Sequence, residues 1–295
     1  MFGMLLVLMS VVGGYSLEGG DPAALVRPEE LLMIGGAGAG MAIAFNRPEH
    51  LAALLRALRA SFRRSEPTKR SYLATLITLL SVFEFARRAG PSRVEADLDA
   101  PDGGAVLERC KASLAVAGTP EFVCDSIRMA ALGRVAPRDL EDMLECDLDV
   151  GRQARERPAE SARSLADALP GFGIAAAVLG VVITMGSMDR PPAEIGAKVG
   201  AAMMGTFLGI LLSYGFASPV AERMAGVADR ESQYFEVIRA GVAGFARGMP
   251  SAIAVEFARR EIPPDLRPSF QSVEEAWRAE LATAAAIRAG PMKKV

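Results

Sequence analysis

The chain has 295 residues and a mass of 31.1 kDa; it is 51% apolar, with a mean hydropathy of +0.24 and a net charge of −2. So small a net charge leaves no global basic field and speaks against nucleic-acid binding. The apolar residues are gathered into charge-free blocks separated by stretches rich in Arg and Glu, which is the pattern of a membrane protein with a separate water-facing part.

The first block, Phe2–Leu17, reads FGMLLVLMSVVGGYSL. It sits at the lower limit of the roughly 17–25 residues that span a bilayer. Without a basic leading segment or an AxA cleavage site, it reads as a retained helix rather than a removable signal peptide. A polar turn with Glu18, Asp21, Pro22 and Arg27 leads to a second block over 31–45, closed by Asn46, Arg47 and Pro48. Within it, Gly36 with Gly40 and Gly35 with Ala39 place small residues on one helix face, where another backbone can approach closely. The basic run that follows, from Arg47 through Arg56, Arg59, Arg63 and Arg64 to Lys69 and Arg70, marks the cytoplasmic side.

Leu51, Leu54, Leu55 and Leu58 fit a helical period, as do Leu73, Leu76, Leu79 and Leu80. Gly90-Pro91 breaks the second of these, and a new helix is expected from about Ser92 or Arg93. Helical spacing returns over 140–156 and over 272–287, the latter with Val273, Trp277, Leu281 and Ala284 on one side. Cys110, Cys124 and Cys146 are odd in number and lack CxxC spacing, so they read as reduced structural thiols. His50 reads as an interfacial residue.

The third block covers 168–188 and the fourth 199–221, joined by a link over 189–194 that is short enough for a tight outer hairpin. No sustained period-2 alternation calls for a sheet. The expected fold is therefore an all-α membrane protein with four transmembrane helices and a large helical cytoplasmic domain, both termini lying in the cytoplasm. Its parts are helices 1 and 2 over 1–47, a cytoplasmic helical region over 48–165, helices 3 and 4 with their hairpin over 166–222, and C-terminal cytoplasmic helices over 223–295.

No phosphate-binding loop, zinc motif or Ser–His pair supports an enzyme, and no cofactor is expected. Ionisable groups stand only at the ends of the third and fourth blocks, as Asp167 and Lys198. Such a chain either moves no protons or relies on a partner for the carrier. Pro170 and Pro219 each free the carbonyl four residues earlier, that of Ala166 and of Gly215. They read either as a hinge or as markers of helix ends. Thr206 can donate to a neighbouring helix or bond back to its own.

The segments LADALPGFGIAAAVLGVVITMGSMDRPPAEIG and AAMMGTFLGILLSYGFASPVAERM resemble the MotA stator family, as do FRRSEPTKRSYL, the charged stretch 87–99, SAIAVEFARR and RPSFQSVEE. The resemblance covers essentially the whole chain. It implies an inner-membrane pentamer around two copies of a MotB-like partner, whose membrane aspartate accepts the ion, with the rotor protein FliG engaged from the cytoplasm. The family's functional prolines fall on Pro170 and Pro219, its rotor-facing charges on Arg87 and Glu95, and its channel threonine on Thr206. Ala177 stands where sodium-driven relatives hold threonine, which implies protons as the driving ion. Arg87 and Glu95 would otherwise read as a solvated surface pair. An alternative within the superfamily is an ExbB- or TolQ-like energising subunit, which resembles a three-helix arrangement.

Overall fold

The computed structural model describes residues 2–63, 66–100, 104–133, 135–186, 189 and 191–289. All regular structure among these residues is helical. The helices are α1 (Phe2–Leu17), α2 (Pro28–Phe45), α3 (Pro48–Arg63), α4 (Lys69–Ala89), α5 (Pro91–Leu98), α6 (Gly104–Ser113), α7 (Thr119–Leu132), α8 (Pro137–Met185), α9 (Pro192–Ile210), α10 (Ser218–Ala246), α11 (Ser251–Glu261) and α12 (Phe270–Ala289). A 3-10 turn, Pro22–Leu25, joins α1 to α2, and a π-helical turn, Leu211–Ala217, joins α9 to α10. The helix from Pro137–Met185 and the one formed by α9, the π turn and α10 are long and apolar enough to cross a membrane. Phe2–Leu17 is a shorter apolar helix.

Two compact units divide the chain, one over 1–64 and 154–228 and the other over 65–153 and 229–295. The sequence boundary at 165/166 falls inside α8, which runs 49 residues without a break and carries Pro158 and Pro170 in its interior. Proline removes an N–H and clashes with the preceding turn, so its usual effect is to bend or end a helix. Here the helix continues on both sides, and Pro170 does not mark an end.

In the first unit Ile34, Leu169, Ala176 and Leu208 form one buried apolar cluster, and Leu54, Ala159 and Met224 another. Within the protomer the glycine faces of α2 meet no other helix: Gly35, Gly36 and Gly40 have open space where a side chain would stand. The buried stripe of α2 is instead Glu30, Ile34 and Gly38, spaced four apart on a different face. A Cβ added at Gly38 would stand 3.4 Å from Leu165 and 3.5 Å from Leu169, an ordinary contact distance. Near the end of α2, Ser161 donates to Asn46 at 2.9 Å and Arg157 donates to His50 Nε2 at 3.0 Å. Arg163 pairs with Glu222 at 2.7 Å, and Arg223 Nε donates to the Ser61 carbonyl at 2.6 Å.

The second unit has one large core. Leu76, Leu79 and Phe83 from α4 pack with Val123 and Ile127 from α7, Leu140 and Leu144 from α8, and Tyr234, Val237 and Ile238 from α10. Tyr234 brings a hydroxyl into this core, where it hydrogen-bonds Thr75 and accepts from the Ala115 N–H at 3.1 Å. The polar tip of a buried tyrosine is thereby satisfied. Helix α4 starts on a capping box between Thr68 and Ser71 and stops at Gly90, whose φ of +77° suits glycine. Helix α5 begins at once with Pro91 at its first position and Gly90 as its cap, one residue before the expected Ser92 start and with no side-chain cap. On α12, Val273 and Trp277 pack on the core while Leu281 is exposed; the side chain of Ala284 lies outside the described ones. Cys110 and Cys124 are buried and free, and Cys146 is exposed and free. A hydrogen bond from the Cys110 thiol to Cys124, together with burial, pushes the Cys110 thiol upward.

Candidate functional site

Helices α8 and α9 meet along a seam of small residues. A Cβ added at Gly173 would lie 2.7 Å from the Gly205 carbonyl oxygen and 2.9 Å from Gly209 Cα. One added at Gly209 would stand 2.8 Å from Gly173 Cα and 2.9 Å from the Leu169 carbonyl oxygen, and one at Gly180 would stand 2.7 Å from Ala202 Cβ. These distances allow no side chain, so the backbones themselves are in contact. Gly205 and Gly209, four apart on α9, build the small-residue face that permits it.

Ala177 lies on this seam, and Thr206 follows the seam residue Gly205 in α9. The Ala177 backbone nitrogen is 3.1 Å from the Cβ position of Gly205, the residue before Thr206. Ala177 and Thr206 are both half-buried. Their neighbour from α2 is Glu30. It is 8% exposed, and its Oε2 atom would stand 2.7 Å from a Cβ at Gly205. That oxygen is buried and has no hydrogen-bond partner. In the sequence the second apolar block begins at Leu31, which leaves Glu30 outside it. The signal that could have found it is the four-residue spacing Glu30, Ile34, Gly38.

The two prolines stand apart along the helices. Leu169, next to Pro170, meets Gly209, which lies ten residues before Pro219. At 1.5 Å per residue this is about 15 Å of helix. Pro170 is half-buried and follows the fully buried Ala166 by one turn, whereas Pro219 is exposed, one residue into α10. Just before Pro219 the helix widens: the Ser218 N–H reaches back five residues to the Ser213 carbonyl. Such π turns recur where helices carry function. Much of the far side of both helices is apolar and exposed, including Val178, Val182, Ile183 and Met203. In a single protomer such a surface awaits lipid or a partner helix.

In the second unit Arg87 lies in the last turn of α4 and Glu95 on α5. Both are exposed. They do not form an ion pair with each other. Arg87 Nη2 donates to the Gly248 carbonyl at 2.9 Å and to that of Met249, and its guanidinium carbon lies 5.8 Å from the centre of the Phe245 ring. The side chain therefore ties α4 to the turn between α10 and α11. Asp97 accepts from the Ala105 and Val106 N–H groups at 3.2 and 3.1 Å and caps the start of α6. Arg88 pairs with Glu84 at 3.0 Å. On α11 the Arg259 and Arg260 guanidinium groups hold the Glu256 carboxyl down to about 2.

A helix pair in backbone contact, with apolar outer faces on two helices long and apolar enough to cross a membrane, gives the architecture of a helical membrane protein. No cluster of metal-ligating side chains occurs among the described residues. Residues 1–90 match the motility protein A N-terminal family and residues 118–237 the MotA/TolQ/ExbB proton channel family. The chain is 37% identical to motility protein A of Escherichia coli over 279 residues, covering 95% of each. It is 32% identical to the chemotaxis protein LafT of Vibrio parahaemolyticus, over 94% of this chain and 97% of that one. The structure of MotAB from C. jejuni shares the fold at a TM-score of 0.71, with 20% identity and coverage of 91% and 97%. The chain belongs to the motility protein A family of proton-channel subunits.

Proposed function

We propose that this chain is the larger membrane subunit of a flagellar motor stator, which works with a MotB-like partner to convert inward proton flow into torque on the rotor. The observation that carries this reading is the match to motility protein A along 95% of both chains. The α8–α9 seam supports it physically. Two helices whose backbones touch through glycine have few intermediate packings, and a pair of that kind can pass between discrete arrangements as a partner's carboxylate gains and loses a proton. In this reading Pro170 and Pro219 shape the moving helices, Thr206 and Ala177 flank the ion path, and Ala177 favours protons because it offers no oxygen to replace part of a sodium ion's shell.

Four helices cross the inner membrane in this proposal. Helices α1 and α2 join the two long apolar ones, and both chain ends are cytoplasmic. The regions 48–165 and 223–295 face the cytoplasm, where Arg87 and Glu95 meet the rotor protein FliG. Five copies surround two partner chains. The match over residues 1–90 to the motility protein A N-terminal family favours this over an ExbB- or TolQ-like energising role.

Complementation tests the reading. Co-expressed with its own MotB-like partner in a strain lacking stators, the chain should restore swimming, and either protein alone should not. A complex that assembles in the membrane and never drives rotation would refute the proposal.

A further inference from the structure

Where α2 ends and α3 begins, the first unit holds a half-open cavity of about 690 Å³ against α8, within the size range of small-molecule sites. Three charged side chains line it: Arg47 from the α2–α3 corner, and Arg157 and Glu160 from α8. Arg157 Nη1 lies 3.0 Å from His50 Nε2. Arginine can only donate, so His50 accepts there and its ring adds no positive charge. Among the described residues neither arginine forms an ion pair with Glu160 or with any other carboxylate, although Arg157 and Glu160 stand one turn apart on the same helix. The wall behind them is tied down: Ser161 donates to Asn46 Oδ1 at 2.9 Å, and Asn46 Nδ2 donates to the Ala42 carbonyl at 3.0 Å.

Two guanidinium groups against one carboxylate leave a single positive charge facing an open space. Guanidinium groups suit a phosphate, whose oxygens accept their forked N–H donors. The surroundings are those of a membrane boundary. Ile43 and Phe45 are exposed in the last turn of α2, and Phe45 also lines the cavity. On α3, Leu55 and Phe62 are exposed beside the exposed Arg56 and Arg59, the make-up of a helix that lies along an anionic membrane surface. The cavity thus stands where acyl chains give way to headgroups.

We propose that this corner binds the headgroup of an anionic phospholipid of the phosphatidylglycerol class, its phosphodiester between Arg47 and Arg157 and an acyl chain along Ile43 and Phe45. A phosphodiester carries one negative charge, which brings the lining to neutrality. Glu160 disfavours the second charge of free phosphate. By bridging Arg47 and Arg157 the lipid ties the end of the second membrane helix to α8. The inference rests on the membrane-subunit reading and adds to it a lipid site away from the α8–α9 seam.

Thermal unfolding of the detergent-purified complex with its MotB-like partner tests the site. Phosphatidylglycerol, phosphatidylethanolamine or phosphatidylcholine is added at equal mole fraction, and inorganic phosphate in a further sample. Phosphatidylglycerol should raise the midpoint by several degrees, and the other additions by clearly less. The Arg47→Gln/Arg157→Gln double variant should lose most of that shift, and Glu160→Gln should enlarge it. A shift of parental size in the double variant would overturn the proposal, as would equal shifts from all three lipids. An equal shift from inorganic phosphate would also overturn it, marking a free-anion site. Should the double variant fail to assemble, an unenlarged shift in Glu160→Gln would overturn it equally. None of these outcomes touches the stator reading, which stands or falls on complementation by the parent complex.

Discussion

Replacing Gly209 with alanine places a methyl carbon 2.8 Å from Gly173 Cα and 2.9 Å from the Leu169 carbonyl oxygen. Both obstacles are backbone, so neither can rotate aside. Helices α8 and α9 have to separate by roughly 1 Å to restore an ordinary carbon–carbon contact. Overpacking of this kind costs about 1–3 kcal/mol. The same change gains about 1 kcal/mol of helix propensity where nothing obstructs it. Gly226 on α10 supplies that reference, because its Cβ position is open. Gly226→Ala should therefore melt slightly higher than the parent complex in detergent, and Gly209→Ala lower. The gap between them, about 1–3 kcal/mol, corresponds to several degrees. Equal stabilisation by both substitutions would show that the seam is looser than described and would remove the physical basis for discrete packing states.

Three further predictions concern other parts of the molecule. Pro170→Leu restores an N–H inside α8 and should stabilise that helix by up to about 3 kcal/mol; the complex should assemble normally while tethered-cell torque falls sharply, and near-normal torque would make Pro170 merely structural. Arg87→Glu should weaken rotor engagement and also loosen the turn between α10 and α11, because the guanidinium holds the Gly248 and Met249 carbonyls; Glu95→Lys should affect the rotor alone, and a compensating charge reversal on FliG should rescue it more fully than Arg87→Glu. Glu256→Gln should destabilise the full-length protein by about 2 kcal/mol at neutral pH, as expected for charge-assisted hydrogen bonds. The Glu256 carboxyl is depressed in the folded protein from its ordinary 4.5 to about 2, so this contribution is present above 4.5 and is lost as pH falls towards 2. Denaturant titration of both proteins across that window should show the difference vanish.

Much of the helical layout was legible from residue pattern. The block Phe2–Leu17 coincides with α1, and the leucines at 76, 79 and 80 do face a core. Local signals also located the break at Gly90, since a glycine followed by proline leaves a helix few ways to continue. What pattern could not give were relations between distant segments. The Arg87 clamp joins residues 161 and 162 positions apart. The α8–α9 seam depends on which glycines face one another, and composition pointed to the glycines of α2, which are open. Pro170 argued locally for a helix end that the 49-residue α8 overrides. Glu30 was hidden by its context: in Arg-Pro-Glu-Glu it reads as polar turn, and only the packed stripe of α2 reveals it as buried.

The proposed role, converting proton flow into rotation together with a MotB-like partner, is tested most directly by the ion dependence of the complemented motor. Swimming speed should be recorded at constant pH with sodium replaced by potassium, and again with a protonophore in sodium medium. Speed should survive the loss of sodium and collapse with the protonophore. Collapse without sodium, together with indifference to the protonophore, would contradict it.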